Sequence, residues 1–166
     1  MTIQISAEGT FFPVTEFDLP GTIDGGQSFR WYAIEGDDGS PDSAGYRGVV
    51  GRSVLEVMPA GGGLSVKVVS GEPADVGAIH AYLGLEDDLV GLRAKYANDQ
   101  GLGPALSDYL GLRLLRQDPW ECLCGFICSA TSNIPRIKLN MGALASNFGE
   151  RIGPASADFA FPGPEA

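Results

Sequence analysis

The stretch Gly111-Leu-Arg-Leu-Leu-Arg-Gln-Asp-Pro-Trp-Glu-Cys-Leu-Cys-Gly-Phe-Ile-Cys-Ser-Ala-Thr-Ser-Asn-Ile-Pro-Arg-Ile137 decides how the later part of this chain is built. Asp118 has the short acceptor side chain of a helix N-cap. Pro119 follows at the first helical position, where its missing N–H is no loss, and Glu121 stands three residues after the cap in a capping-box pattern. Trp120, Leu123, Cys124, Ile127 and Cys128 share one face of the predicted helix, and Cys122 and Phe126 extend apolar surface round its side. A helix this apolar belongs at the centre of a bundle. The polar turn Ser129-Ala-Thr-Ser-Asn133 ends it, and a second helix is capped near Ser132 or Asn133 and stopped by Gly149. Ile134, Ile137, Met141, Leu144, Ala145 and Phe148 form its apolar stripe, with Arg136 on the opposite side in the first turn.

Towards the amino terminus the pattern changes. Phe29 to Ile34, Tyr46 to Val50, Ser53 to Met58 and Leu64 to Val69 are short runs rich in aromatic and β-branched residues, separated by Gly, Asp, Ser and Pro. They predict an antiparallel meander, with hairpin turns at Gly51-Arg52 and within Ala60 to Gly63. After Pro73 helical spacing sets in at Val76, Ile79, Tyr82 and Leu83, again at Leu89, Leu92, Arg93 and Tyr96 behind Asp87-Asp88, and in a third short helix from Pro104 to Tyr109. These helices are expected to cover one face of the sheet. The fold class is α+β: a twisted antiparallel sheet with covering helices in residues 1–110, then the first helices of an all-α unit in residues 111–166.

The chain has 166 residues, 44% of them hydrophobic and 19% charged, a globular composition. Its 24 glycines and 11 prolines mark many loops without a low-complexity tract. No apolar run approaches the roughly 20 residues of a membrane span, and the start lacks a secretory signal. A soluble intracellular protein with no membrane partner is the expectation. A net charge of -10 argues against nucleic-acid binding only as a sum. Residues 111 to 151 hold five bases (Arg113, Arg116, Arg136, Lys138, Arg151) and three acids (Asp118, Glu121, Glu150), a balance of +2, against six bases and eighteen acids elsewhere, a balance of -12. An acidic body can bind DNA through one mildly basic segment.

Cys122, Cys124 and Cys128 fall in one predicted helix and cannot build a disulfide framework. A metal reading lacks a fourth ligand, since the single histidine, His80, is far off in sequence. The cysteines therefore read as small buried apolar residues and His80 as a surface or boundary residue; neither a metal nor a cofactor is expected.

A second block, Phe17-Asp-Leu-Pro-Gly-Thr-Ile-Asp-Gly-Gly-Gln-Ser-Phe-Arg-Trp31, joins the first in the same order as two signatures of one family. Together they resemble the 8-oxoguanine DNA glycosylases: "GQSFRW" near the amino terminus, and "LRQDP-E-L-FICS-NNI-RI" leading into the helical domain that flips the damaged base. The resemblance implies a TATA-binding-protein-like sheet domain followed by the start of the helical glycosylase domain. It implies excision of oxidised purines from damaged double-stranded DNA, in base excision repair, by a glycosylase that is also an apurinic-site lyase. It also implies a place with the DNA, in a bacterial or archaeal cytoplasm rather than a nucleus.

Site residues follow from the same match. Gly26 corresponds to the glycine whose carbonyl accepts the N7–H that oxidised guanine has and guanine lacks. Thr131, Ser132 and Asn133 stand in the turn whose first asparagine fills the gap opposite the extruded base, and Arg136 matches the arginine that contacts the estranged cytosine. Thr131 departs from the family, being shorter than asparagine and lacking the amide. Read without the match, the turn is an ordinary connection between helices, Arg136 a solubilising charge and Gly25 to Ser28 a turn entering a strand.

No catalytic residue is assigned. The family's Schiff-base lysine and carboxylate lie downstream of the matched segments, and Lys67, Lys95 and Lys138 are not in matching contexts. Phe159 to Ala166 is expected to be a linker into a missing carboxy-terminal helical domain, a possible partner. The alternative is a non-catalytic damaged-DNA-binding module, and a third reading is an acidic structural domain unconnected with DNA.

Overall fold

A computed structural model describes residues 3–6, 9–36 and 44–166. The strands are β1 (Gln4–Ser6), β2 (Gly9–Pro13), β3 (Trp31–Ile34), β4 (Gly45–Val50), β5 (Ser53–Ala60) and β6 (Gly63–Gly71). The helices are α1 (Leu19–Asp24), α2 (Val76–Tyr82), α3 (Leu89–Tyr96), α4 (Leu102–Asp108), α5 (Pro119–Ser129) and α6 (Ile134–Phe148). The strands form one sheet in the order β1-β2-β6-β5-β4-β3, each neighbouring pair antiparallel. The expected meander is β3 to β6. Gly51 at φ 58° and Gly62 at φ 80° make its two tight turns, a backbone region that favours glycine.

The sequence reading did not separate out β1 and β2. Pairing of Phe12 with Leu64 puts β2 outside β6, so β6 lies inside the sheet. On the covered face Phe12, Trp31, Leu55, Val57, Ile79 and Leu83 form the core. Strand β4 has room for the indole only because Gly48 faces it: a Cβ there would lie 2.3 Å from the Trp31 ring. Trp31 Nε1 donates to Tyr82 Oη at 3.0 Å, and burial pushes the Tyr82 hydroxyl far above its ordinary range.

Helices cover this face differently from the expectation. The expected α2 buries Ile79 and Tyr82, with Leu83 just beyond it, and the unexpected α1 buries Leu19, Thr22 and Ile23. Helix α3 buries no residue and α4 only Gly103. Arg93, counted in the apolar spacing of α3, instead reaches Glu16 with two hydrogen bonds of 2.8 Å, and that bond holds the Glu16 carboxyl below its usual range.

Asp118 caps α5 as expected, its Oδ1 accepting from the N–H groups of Trp120 and Glu121 at 2.9 Å. Glu121 does not close a capping box. Its two oxygens are taken by Arg30, at 2.6 and 3.1 Å. Helix α6 buries Ile137, Met141 and Ala145, while α5 buries only Gly125. Phe126 is 77% and Ile127 63% exposed, so the helix expected to be central presents an open apolar face among the described residues.

The stretch expected to be a linker is docked. Arg30 Nη1 donates to the Phe159 carbonyl at 2.6 Å, and Trp120 Nε1 to that of Pro162 at 3.0 Å. Asp158, 2% exposed, receives Arg47 Nη2 at 2.8 Å and the Ala155 N–H at 2.9 Å. No helix among the described residues is long and apolar enough to cross a membrane.

Candidate functional site

Two short segments meet at one place: the glycine turn after α1 and the polar turn between α5 and α6. The glycine turn is stapled by Gln27, whose Nε2 donates to the carbonyls of Thr22 and Arg113, both at 2.8 Å, while its Oε1 accepts the Leu115 N–H at 2.9 Å. Gln117 Nε2 donates to the Gln27 carbonyl at 2.6 Å, and Ser28 Oγ to that of Ile23 at 2.9 Å. With its amide committed to the protein, Gln27 fixes the turn. Gly26, at φ 92°, is the residue the turn sets at the site, and its carbonyl has no hydrogen-bond partner among the described residues.

Gly26 borders a cavity of about 260 Å³, with Phe29, Cys122, Gly125, Phe126 and Met141 in its wall. That is just under the roughly 300 Å³ at which drug-sized sites begin, a scale suited to a nucleobase. Gly125 allows α5 close to the Phe29 ring, since a Cβ there would lie 3.1 Å from it. Burial, then the neighbouring charges of Glu121 and Asp118, push the Cys122 thiol up from its ordinary value, so it is a neutral wall group at pH 7. Cys122 is exposed, and Cys124 and Cys128 are half-buried; the expectation of three buried cysteines fails because the α5 face is open. His80 lies with its ring 6.1 Å from that of Phe12, remote from this chemistry.

In the polar turn, Thr131 is exposed and has φ 56°, the single positive-φ residue other than glycine among those described. A β-branched residue is strained there, whereas asparagine tolerates it. The Ser132 hydroxyl is buried without a partner, and Asn133 caps α6, its Oδ1 accepting the Arg136 N–H at 3.1 Å. Asn133 thus keeps its amide hydrogens and one Oδ1 lone pair to offer a ligand.

The Arg136 side chain is exposed, and its guanidinium has no ion pair or hydrogen bond among the described residues. The basic segment read from the sequence is mostly consumed internally. Arg113 is buried against the carbonyls of Gly84, Asp87 and Glu16, Arg116 pairs with Asp87, and Lys138 with Asp24. Arg136, outside the cavity lining, is left with its charge in solvent.

Reasoning from sequence missed the residues that join the two turns. Ile134, the first residue of α6, sits on the bare Cα of Gly26: a Cβ on Gly26 would lie 2.9 Å from Ile134 Cδ1. Lys138, one turn further along, bonds Asp24 and also donates to the Trp31 carbonyl at 3.3 Å. The sequence offered no signal for either contact, because Ile134 reads as one more member of an apolar stripe.

Comparison with known proteins places the chain in a family. The family model described as "8-oxoguanine DNA glycosylase, N-terminal domain" matches residues 10–123. An N-glycosylase/DNA lyase OGG1 of Arabidopsis thaliana is 31% identical over 145 residues, covering 84% of this chain and 37% of the relative. An N-glycosylase/DNA lyase of Saccharomyces cerevisiae is 52% identical over 42 residues, 25% of this chain and 11% of the relative. Among solved structures, MBOgg1 in complex with a low-affinity DNA ligand superposes with a TM-score of 0.81 at 29% identity, covering 99% of this chain and 55% of that one. The Clostridium acetobutylicum 8-oxoguanine glycosylase/lyase, in complex with double-stranded DNA carrying cytosine opposite 8-oxoguanine, gives 0.82 at 27%, covering 98% and 54%. The chain thus spans little more than half the length of these solved relatives and 37% of the Arabidopsis one.

Proposed function

Since this chain belongs to the 8-oxoguanine DNA glycosylase N-terminal domain family, we propose that it is the lesion- and partner-reading portion of a DNA N-glycosylase with apurinic-site lyase activity. It acts on 8-oxoguanine opposite cytosine in double-stranded DNA, in base excision repair. The observation that carries this reading is the contact of Ile134, within the Thr131 to Arg136 segment, with the Gly26 turn, which lines a base-sized cavity together with Ser129.

Each part has a task. Extruding a base costs a few kcal/mol of stacking and pairing, so some group must fill the gap it leaves. Thr131 at the exposed tip of the turn fills it, with Ser132 and Asn133 shaping the turn behind. Arg136 donates from its planar fork to acceptors on the estranged cytosine. The extruded purine enters the cavity beside Phe29, and the Gly26 carbonyl accepts N7–H. Normal guanine presents an N7 lone pair there and is repelled.

We place the boundary between the sheet domain and the helical glycosylase unit near residues 110 and 111. Bond cleavage calls for an amine nucleophile. None of Lys67, Lys95 and Lys138 borders the cavity, and Lys138 is held by Asp24. The nucleophile therefore comes from a carboxy-terminal helical domain, which also covers the apolar face of α5, and residues 1–166 alone cleave neither bond. The enzyme works on DNA in a bacterial or archaeal cytoplasm. Borohydride reduction on duplex DNA with 8-oxoguanine opposite cytosine tests the assignment. A trapped adduct with the full-length protein and none with residues 1–166 supports it. Selective binding by the full-length protein with no adduct would make it a damage-binding module instead.

A further inference from the structure

We propose that Ile134 and the Lys138–Asp24 ion pair are positioning residues that lock the lesion reader to the partner reader, so that Gly26 and Arg136 act as one unit; this rests on the function proposed above. Two contacts from a single helix carry it. Ile134 follows the Asn133 cap directly, and its Cδ1 occupies the space a side chain on Gly26 would need. Lys138, four residues on, grips Asp24 at the end of α1 and the carbonyl of Trp31, the largest fully buried side chain among the described residues. The first two turns of α6 therefore hold the chain at two points, Asp24 and Gly26, one on each side of Gly25.

Arg136 lies between these two contacts in sequence, with its own side chain in solvent. Pro135 restricts the backbone of the same turn, so a shift of Arg136 carries Ile134 with it. Ile134 is still 42% exposed, so little of its contact is with the core; its neighbour at this point is the glycine. Binding of cytosine by Arg136 then fixes the position of the Gly26 carbonyl, and a wrong partner base loosens it. Lesion identity and partner identity are read jointly.

The test measures binding of the full-length protein to duplexes carrying 8-oxoguanine:C, guanine:C and 8-oxoguanine:A, for wild type, Ile134→Ala, Ile134→Val, Arg136→Ala and the Ile134→Ala/Arg136→Ala double variant. Ile134→Ala is expected to lower both preferences, for 8-oxoguanine over guanine and for C over A, by roughly fivefold each, the scale of coupling between packed neighbours. Ile134→Val should recover most of both at an unchanged melting temperature. In the double variant the two losses should fall short of their product. Loss of one preference with the other intact, or losses that multiply, overturns the coupling while leaving the function standing. A wild type with no preference for 8-oxoguanine:C over guanine:C removes the function, and the coupling with it.

Discussion

Arg30 and Glu121 meet in a two-pronged ion pair, Nε to Oε1 at 2.6 Å and Nη2 to Oε2 at 3.1 Å, with side chains 4% and 19% exposed. It fastens α5 to the residue preceding β3, and Arg30 goes on to the Phe159 carbonyl and the face of Phe161. Both walls of the proposed base cavity, Phe29 on one side and Cys122 on the other, are sequence neighbours of this pair.

Breaking the pair from one side leaves a buried charge without compensation. Glu121→Ala is expected to destabilise folding by about 3 kcal/mol, and replacement of both partners by leucine to cost less than the two single changes summed. Urea unfolding checks this; a cost below about 1 kcal/mol would mark the pair as no stronger than a surface one.

Arg136→Ala should weaken selectivity for cytosine opposite the lesion by about 1 to 3 kcal/mol in the full-length protein. Its melting temperature should hold, since the guanidinium touches no protein group among the described residues. An equal loss against every opposing base would make Arg136 a phosphate contact.

Thr131 is both strained and short, and two substitutions separate these faults. Thr131→Gly removes the steric cost of its φ of 56° and should leave excision no better than wild type. Thr131→Asn should stabilise by roughly 0.5 to 1 kcal/mol, because asparagine tolerates this region, and should also raise excision through its amide. If neither variant changes excision, the segment from Ser129 to Asn133 is only a helix connection.

Cys122 tests the cavity through pH. Its thiol is raised by burial and then by the Glu121 and Asp118 carboxylates, so less thiolate exists at neutral pH than on a free cysteine. With Cys124 and Cys128 replaced by serine, alkylation should be slower than that of a free thiol at pH 7.5 and should keep rising with pH where the rate of a free thiol has levelled off. Duplex DNA containing 8-oxoguanine should protect it. Labelling at the rate of a free thiol, with or without DNA, would place Cys122 outside the site.

Local signals were legible in the sequence and distant ones were not. The cap at Asp118, a cap at Ser132 or Asn133 and the glycine hairpins announce themselves within a few residues, and the structure has them there, with Asn133 as the second cap. Helix α1 escaped because six residues containing Pro, Gly and Thr show no period, and it holds by packing Leu19 and Ile23 into the core. Glu121 was read by its neighbours as a capping partner, yet its actual partner lies 91 residues earlier. The same limit applies to the site. Gly26 and Arg136 are proposed from the family resemblance of the sequence, but the contact of Ile134 with Gly26 and the loss of Lys138 to Asp24 exist only once the chain is folded.

The central claim is that the turn around Gly26 reads oxidised guanine, and the most direct measurement is competition between 8-oxoguanine:C and guanine:C duplexes for the full-length protein, wild type against Gly26→Ala. The wild type should prefer the lesion by at least about tenfold, near 1.4 kcal/mol. Gly26→Ala should erase that preference, because a Cβ at φ 92° is strained and runs into Ile134. Equal affinity of the wild type for the two duplexes, or an unchanged preference in Gly26→Ala, would contradict the claim.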